Sequence, residues 1–117
     1  MPKYKLIALD LDGSLLQNDL KISAANRHWI KQAEEAGIVV SFATGRGRSS
    51  SEQYWDVVRP QAPMVVVNGA EVWRNYQELL SRHLLPAHAI PRLHKLALEY
   101  KTWYWAHAPG KLVRKEA

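Results

Sequence analysis

Three unbroken apolar runs punctuate the first part of the chain: "YKLIALD", "IVVSFAT" and "PMVVVNG". Runs of this length without two-residue alternation fit strands covered on both faces, the usual state in a parallel sheet. Between them the period lengthens. Residues 24–36 put Ala25, Trp29, Ala33 and Ala36 on one helical face and Arg27, Lys31, Glu34 and Glu35 opposite, with Ser23 placed to cap the start and Gly37 to end it. Further on, Ser49 and Glu52 have capping-box spacing, and Tyr54, Trp55 and Val58 mark the buried face of a second helix. Strand–helix–strand–helix–strand in succession predicts an α/β fold: three parallel strands joined by right-handed crossover helices.

After "NGA" the rhythm changes. "EVWRNY" and "LLSRHLL" predict a hairpin turning near Gln77 and Glu78, without the usual Asn-Gly turn. Apolar positions at Ile90, Leu93, Leu96, Ala97 and Tyr100 predict a helix over 87–100, which tolerates Pro91 only in its first turn. "TWYWAH" reads as a strand, "APGK" as a turn, and "LVRKEA" as a short strand or frayed tail.

Composition narrows the class. Hydrophobic residues make up 47% of the 117 and charged residues 23%, a balance that forms a core and argues against disorder. The absence of cysteine excludes disulfides and thiolate chemistry. No apolar stretch approaches membrane-spanning length and no signal-peptide pattern precedes the first strand, so a cytoplasmic protein without membrane contact is expected. The formal charge of +5 raises nucleic acid as a partner, but the basic residues are dispersed except in "KLVRKEA". Five tryptophans (Trp29, Trp55, Trp73, Trp103 and Trp105) offer stacking surfaces, yet Trp29 and Trp55 fall on core-facing helix stripes, where packing explains them better.

The chemistry lies where the strands end. Ligands of open parallel sheets collect beyond the carboxyl ends of the strands, and three polar clusters fall there: "DLDGS", "ATGR" and "NGA". In extended backbone Asp10 and Asp12 project to the same side with Cα atoms about 7 Å apart. Two negative charges at that spacing repel by about 2 kcal/mol at an effective dielectric of about 20. A hard divalent cation such as Mg²⁺ reverses the sign of that interaction. A solvated turn is the plain alternative for Asp-x-Asp-Gly. A calcium loop beginning at Asp10 is excluded, because Leu15 occupies its glycine position and Lys21 its bidentate-glutamate position.

"LDLDGSLL", then "FATGR", then "VVVNGAEV", each at a strand end, resemble the haloacid dehalogenase superfamily. The resemblance is greatest to the large-cap branch of small-molecule phosphatases (type IIB, Cof-like), whose cap follows the third core strand. It implies a partial Rossmann-like core over residues 1–80 and the opening of an α+β cap over 81–117. It also implies that Asp10 is the nucleophile forming an aspartyl-phosphate, and that Asp12 protonates the leaving oxygen and later activates water. Mg²⁺ would be held by the Asp10 carboxylate and the Asp12 carbonyl. Thr44 would hold a phosphoryl oxygen, supported by N–H groups around Asp12 and Gly13 and of Gly45. Ser14 stands where the family usually has threonine. Arg46 is either a substrate contact or a surface charge, and Asn68 either a brace for the loops or a turn residue before Gly69. Small phosphorylated substrates, sugar phosphates among them, are implied.

The family's later lysine motif and acidic metal-binding motif have no counterpart after "NGA". Lys95 and Lys101 fall in cap-like segments, and Lys111 and Lys115 lie in the tail. The chain is therefore read as the N-terminal part of a longer enzyme, its own competence in question. In the family the first strand is central, so here its edge would lie open, and open apolar edges recruit other chains. Homo-oligomerisation through that edge, or by exchange of cap segments, is the corresponding expectation. A non-catalytic association module is the competing function.

Overall fold

The computed structural model describes residues 3–108 and 111–116, the last six by backbone alone. Two compact units divide at Arg82/His83. In the first, β1 (Leu6–Leu9) pairs in parallel with β2 (Val39–Phe42), Leu6 beside Val39 and Leu9 beside Phe42. The third strand, β3 (Met64–Val66), runs parallel to β2, but the ladder thins to one bridge, Ala43 with Val65. The other edge of β3 carries an antiparallel hairpin, β4 (Glu71–Asn75) and β5 (Glu78–Arg82). Its turn is Tyr76–Gln77, where Asn75 Oδ1 accepts the N–H groups of Gln77 at 2.8 Å and Glu78 at 2.9 Å. That side chain does the work of the missing Asn-Gly turn.

Two helices accompany the parallel strands. α1 (Ala24–Glu35) begins with Ser23 Oγ accepting the Asn26 N–H at 3.0 Å. It ends in a Schellman arrangement: Gly37 at φ +82°, its N–H on the Glu34 carbonyl, and the Ile38 N–H on that of Ala33. The packed face is not the alanine–tryptophan stripe. Ile30 and Ala33 pack on the core, whereas Trp29 is 68% exposed and Ala25 and Ala36 are exposed. Asn26 sets this rotation, because its Nδ2 donates to the Leu15 carbonyl at 3.1 Å and ties the helix to the preceding connection. The core role expected of Trp29 is therefore withdrawn; Trp55 is partly buried and packs against Tyr76.

α2 (Arg48–Val58) also starts differently from the pattern. Gly47 is its N-cap, Ser49 is the second helical residue and makes no capping box, and Ser50 and Ser51 hydroxyls bond back to the Gly47 carbonyl. Ser51, Tyr54 and Val58 form its buried face.

The residues between Asp10 and Ser23 are structured. Leu11–Leu15 form one wide helical turn, closed by Leu15 N–H on the Asp10 carbonyl and Leu16 N–H on the Leu11 carbonyl. Within it Asp12 (φ −72°, ψ 128°) and Gly13 (φ 76°, ψ 0°) have type II turn geometry, which needs glycine second. Leu11, Leu15, Leu16 and Ile22 enter the core beside Val40, Phe42, Tyr54 and Met64. This apolar payload fixes the loop that carries the acidic pair. On the opposite side β1 is not covered on both faces: Ile7 and Leu9 are half-buried, while Ala8 is exposed and Leu6 is 54% exposed.

The second unit contains α3 (Ala89–Glu99), β6 (Trp103–Ala108) and β7 (Lys111–Glu116), the last two antiparallel. Pro91 lies in the first turn of α3, where its missing N–H costs no helical bond. Tyr104, Ala106 and Ala108 are half-buried, and the Tyr104 hydroxyl meets His94 Nδ1 at 3.3 Å. In the expected "APGK" turn, Pro109 and Gly110 lie outside the described residues, as does Ala117 at the tail.

Candidate active site at the strand ends

The parallel register brings the ends of three strands together. The Ala43 N–H bonds to the Leu9 carbonyl at 2.9 Å and the Thr44 N–H to the Val65 carbonyl at 3.0 Å. Asp10, Thr44 and Asn68 follow these strands directly, and all three line one cavity of about 390 Å³ together with Gly45 and Gly69. Thirty-four positions separate Asp10 from Thr44 in sequence; in space they share a wall.

Asp10 and Thr44 are each held by a nearby backbone N–H. Asp10 is exposed and accepts the Leu11 N–H on Oδ1 at 2.8 Å. Thr44 is only 5% exposed, and its Oγ1 accepts the Arg46 N–H at 3.1 Å. Among the described residues nothing accepts the Thr44 hydroxyl proton or the Gly45 N–H, so two donors remain at the cavity for an anion. Asp12, Gly13 and Ser14 stand on the exposed turn next to Asp10 and do not line the cavity.

Arg46 is neither free at the surface nor in the cavity. Its Nε and Nη2 each donate to Asp12 at 2.7 Å, a bidentate fork, while Nη1 reaches the Ser50 carbonyl at 3.4 Å. The guanidinium lies 5.2 Å from the centre of the Tyr54 ring, and Tyr54 is anchored by its hydroxyl to the Leu20 carbonyl at 2.9 Å. The Arg46 hydrogen bonds hold the Asp12 carboxyl below the usual carboxylate range, and desolvation opposes them only in part. Reciprocally, Asp12 raises Arg46.

Because the folded-state value is depressed, the pair contributes stability above the ordinary carboxylate value of 3.8 and loses it as pH falls through the lowered one. Half of the Asp12 side chain is solvent-exposed, which keeps that contribution small. Arg46→Met is accordingly expected to flatten the dependence of the urea midpoint on acid as pH falls through and below the ordinary carboxylate value. An unchanged profile would show that the fork does not operate in solution.

The donor set suits a hard cation in part. The Asp10 carboxylate and the Asp12 carbonyl are oxygen ligands of the kind Mg²⁺ takes. The Asp12 carboxylate is occupied by Arg46, and no group of three acidic or histidine side chains converges among the described residues. These residues alone would therefore supply only part of a Mg²⁺ shell.

Two contributions were not apparent from sequence: the Arg46–Asp12 fork, and the left-handed conformation of Val67 in the turn before Gly69. Val67 and Asn68 have positive φ, at 51° and 52°, and Gly69 follows at 94°. For a β-branched residue such as Val67 this conformation costs about 1–3 kcal/mol. The N–H groups of Val67 and Asn68 bond to the carbonyls of Arg46 (2.9 Å) and Thr44 (3.2 Å), stitching this turn to the neighbouring loop.

Comparison with known proteins gives the class. The sequence profile of haloacid dehalogenase-like hydrolases matches residues 7–117, and the chain belongs to that family. Two phosphatases of Bacillus subtilis (strain 168), each described as a 5-amino-6-(5-phospho-D-ribitylamino)uracil phosphatase, are similar to it. YcsE is 33% identical over 112 residues, covering 96% of this chain and 45% of the relative. YwtE is 39% identical over 85 residues, covering 73% and 29%. A haloacid dehalogenase-like hydrolase from Bacteroides thetaiotaomicron superimposes with a TM-score of 0.77 at 28% identity, over 98% of this chain and 45% of that one. The chain thus spans less than half the length of these proteins.

Proposed function

We propose that this chain carries the nucleophile and the phosphoryl-binding half of a Mg²⁺-dependent phosphatase acting on small phosphate esters. The observation that carries the reading is the shared cavity, in which an exposed carboxylate faces a buried hydroxyl and a free backbone donor. Asp10 attacks phosphorus, forming an aspartyl-phosphate as the ester oxygen departs. The Thr44 hydroxyl and Gly45 N–H hold the non-bridging oxygens as charge develops on them. Asp12 gives a proton to the leaving oxygen and takes one from the hydrolytic water. The fork from Arg46 favours the ionised Asp12, so it suits the second step, and the first requires that fork to loosen. Mg²⁺, held by Asp10 and the Asp12 carbonyl, would supply positive charge against the anionic phosphoryl group. The phosphate esters named for the Bacillus relatives support a small substrate with a polar leaving group.

Whatever hydrolysis of a generic phosphomonoester the chain supports is expected to depend on Mg²⁺, vanishing with excess chelator and returning when Mg²⁺ is restored. Turnover indifferent to chelation would count against the metal assignment.

One observation favours a second reading, a self-associating module. Among the described residues β1 pairs with a strand on one side only, and its Leu6 is 54% exposed. Such an edge favours pairing with another copy. Sedimentation equilibrium is expected to show a concentration-dependent dimer, weakened by Leu6→Lys; a monomer at all concentrations would remove this reading.

A further inference from the structure

The turn Val67–Gly69 contains more conformational strain than a connection requires. Its middle residue, Asn68, is exposed, yet its side chain lies on Gly45 at the wall of the cavity. A Cβ added at Gly45 would fall 2.9 Å from Asn68 Oδ1 and 3.4 Å from Nδ2. The close approach therefore requires both a residue without a side chain at 45 and a short polar one at 68. Gly45 itself does not have a left-handed φ, so backbone conformation alone does not explain its glycine.

The strain is held from both sides. Val67 packs against the core, and the Val67 and Asn68 N–H groups bond to the carbonyls of Arg46 and Thr44. A turn serving only to connect β3 to β4 could place glycine or asparagine at 67 and relax. Here the valine anchors the turn, and the anchored turn fixes where the Asn68 amide points.

We propose that Asn68 is the positioning residue of the phosphoryl cradle. Its amide, set by the left-handed turn, packs on the Gly45 backbone and holds the Thr44–Arg46 loop with its free donors facing the cavity. This rests on the phosphatase reading of the same site and adds to it a matched pair, glycine at 45 and amide at 68.

The test uses the whole 117-residue chain titrated with inorganic phosphate, read at the Thr44, Gly45 and Arg46 amides by NMR. Asn68→Gly is the informative variant, because glycine adopts the left-handed turn at least as readily. A residue serving only the turn would leave phosphate binding unchanged when replaced this way. The amide role predicts that Asn68→Gly keeps or raises Tm while weakening phosphate about tenfold. Gly45→Ala alone is expected to weaken binding comparably, and Gly45→Ala combined with Asn68→Gly to be no weaker than Asn68→Gly within about twofold. Wild-type affinity in Asn68→Gly, or additive losses in the double variant, overturns the proposal. Thr44→Ala separates the two levels. If it abolishes binding while Asn68→Gly does not, only the positioning role falls; if neither variant changes binding, or the wild type does not respond to phosphate, the cradle falls and Asn68 with it.

Discussion

Asp10→Asn is expected to reduce phosphomonoester turnover by on the order of 10³-fold or more while leaving the fold in place. The chemical reason is that an amide oxygen is a poor nucleophile and leaves no anionic group to carry the phosphoryl through a covalent intermediate. The structural reason for an intact fold is that Asp10 is exposed and that the Leu11 N–H, which its Oδ1 accepts, is accepted equally well by an asparagine oxygen. The wide turn closed by Leu15 and Leu16 is carried by backbone bonds and buried leucines rather than by the carboxylate. Turnover preserved in Asp10→Asn would show that another group attacks phosphorus.

The largest effect on stability is expected at Phe42. It is fully buried at the end of β2, pairs with Leu9, and belongs to the same core cluster as Leu11, Met64 and Tyr54. Phe42→Ala removes a ring at the meeting point of the sheet, the Asp10 turn and α2, at a cost of about 3–5 kcal/mol. Domains of ordinary stability hold about 5–15 kcal/mol in total, so much of the margin goes with one side chain. Chemical denaturation is expected to show the loss as a lower midpoint. A shift under about 1 kcal/mol would mean that the core collapses around the gap more completely than close packing allows.

The candidate site was legible because its chemistry conflicts with its setting. Carboxylates, a lone threonine and an asparagine directly after apolar strands have little structural reason to be there, and the parallel register brings Asp10, Thr44 and Asn68 to one cavity. The helix α1 was harder. Its alanines and Trp29 make a plausible apolar face, but the deciding contact is polar, Asn26 on the Leu15 carbonyl, and no hydrophobic period reveals it. Ser49 and Glu52 have the right spacing for a cap, yet Gly47 takes that place because the chain enters α2 from a loop already committed to Thr44 and Arg46. The fork between Arg46 and Asp12 joins residues far apart in sequence, where charge alone selects no partner. Val67 at positive φ runs against its own propensity, and only the surrounding bonds to the Thr44–Arg46 loop explain it.

These pieces combine into one physical picture. Buried leucines hold the acidic turn, sheet bonds place it beside Thr44 and Gly45, and the stitched turn at 67–69 closes the third side. The result is a small polar cavity with the Asp10 carboxylate at one wall and hydrogen-bond donors at another.

The most direct test of that picture is to trap the covalent state. The chain is incubated with Mg²⁺ and acetyl phosphate, treated with borohydride, which reduces an acyl phosphate of aspartate to homoserine, and mapped by peptide mass spectrometry. Homoserine at position 10, absent after Thr44→Ala, is the predicted result; reduction at another residue, or at none, would contradict it.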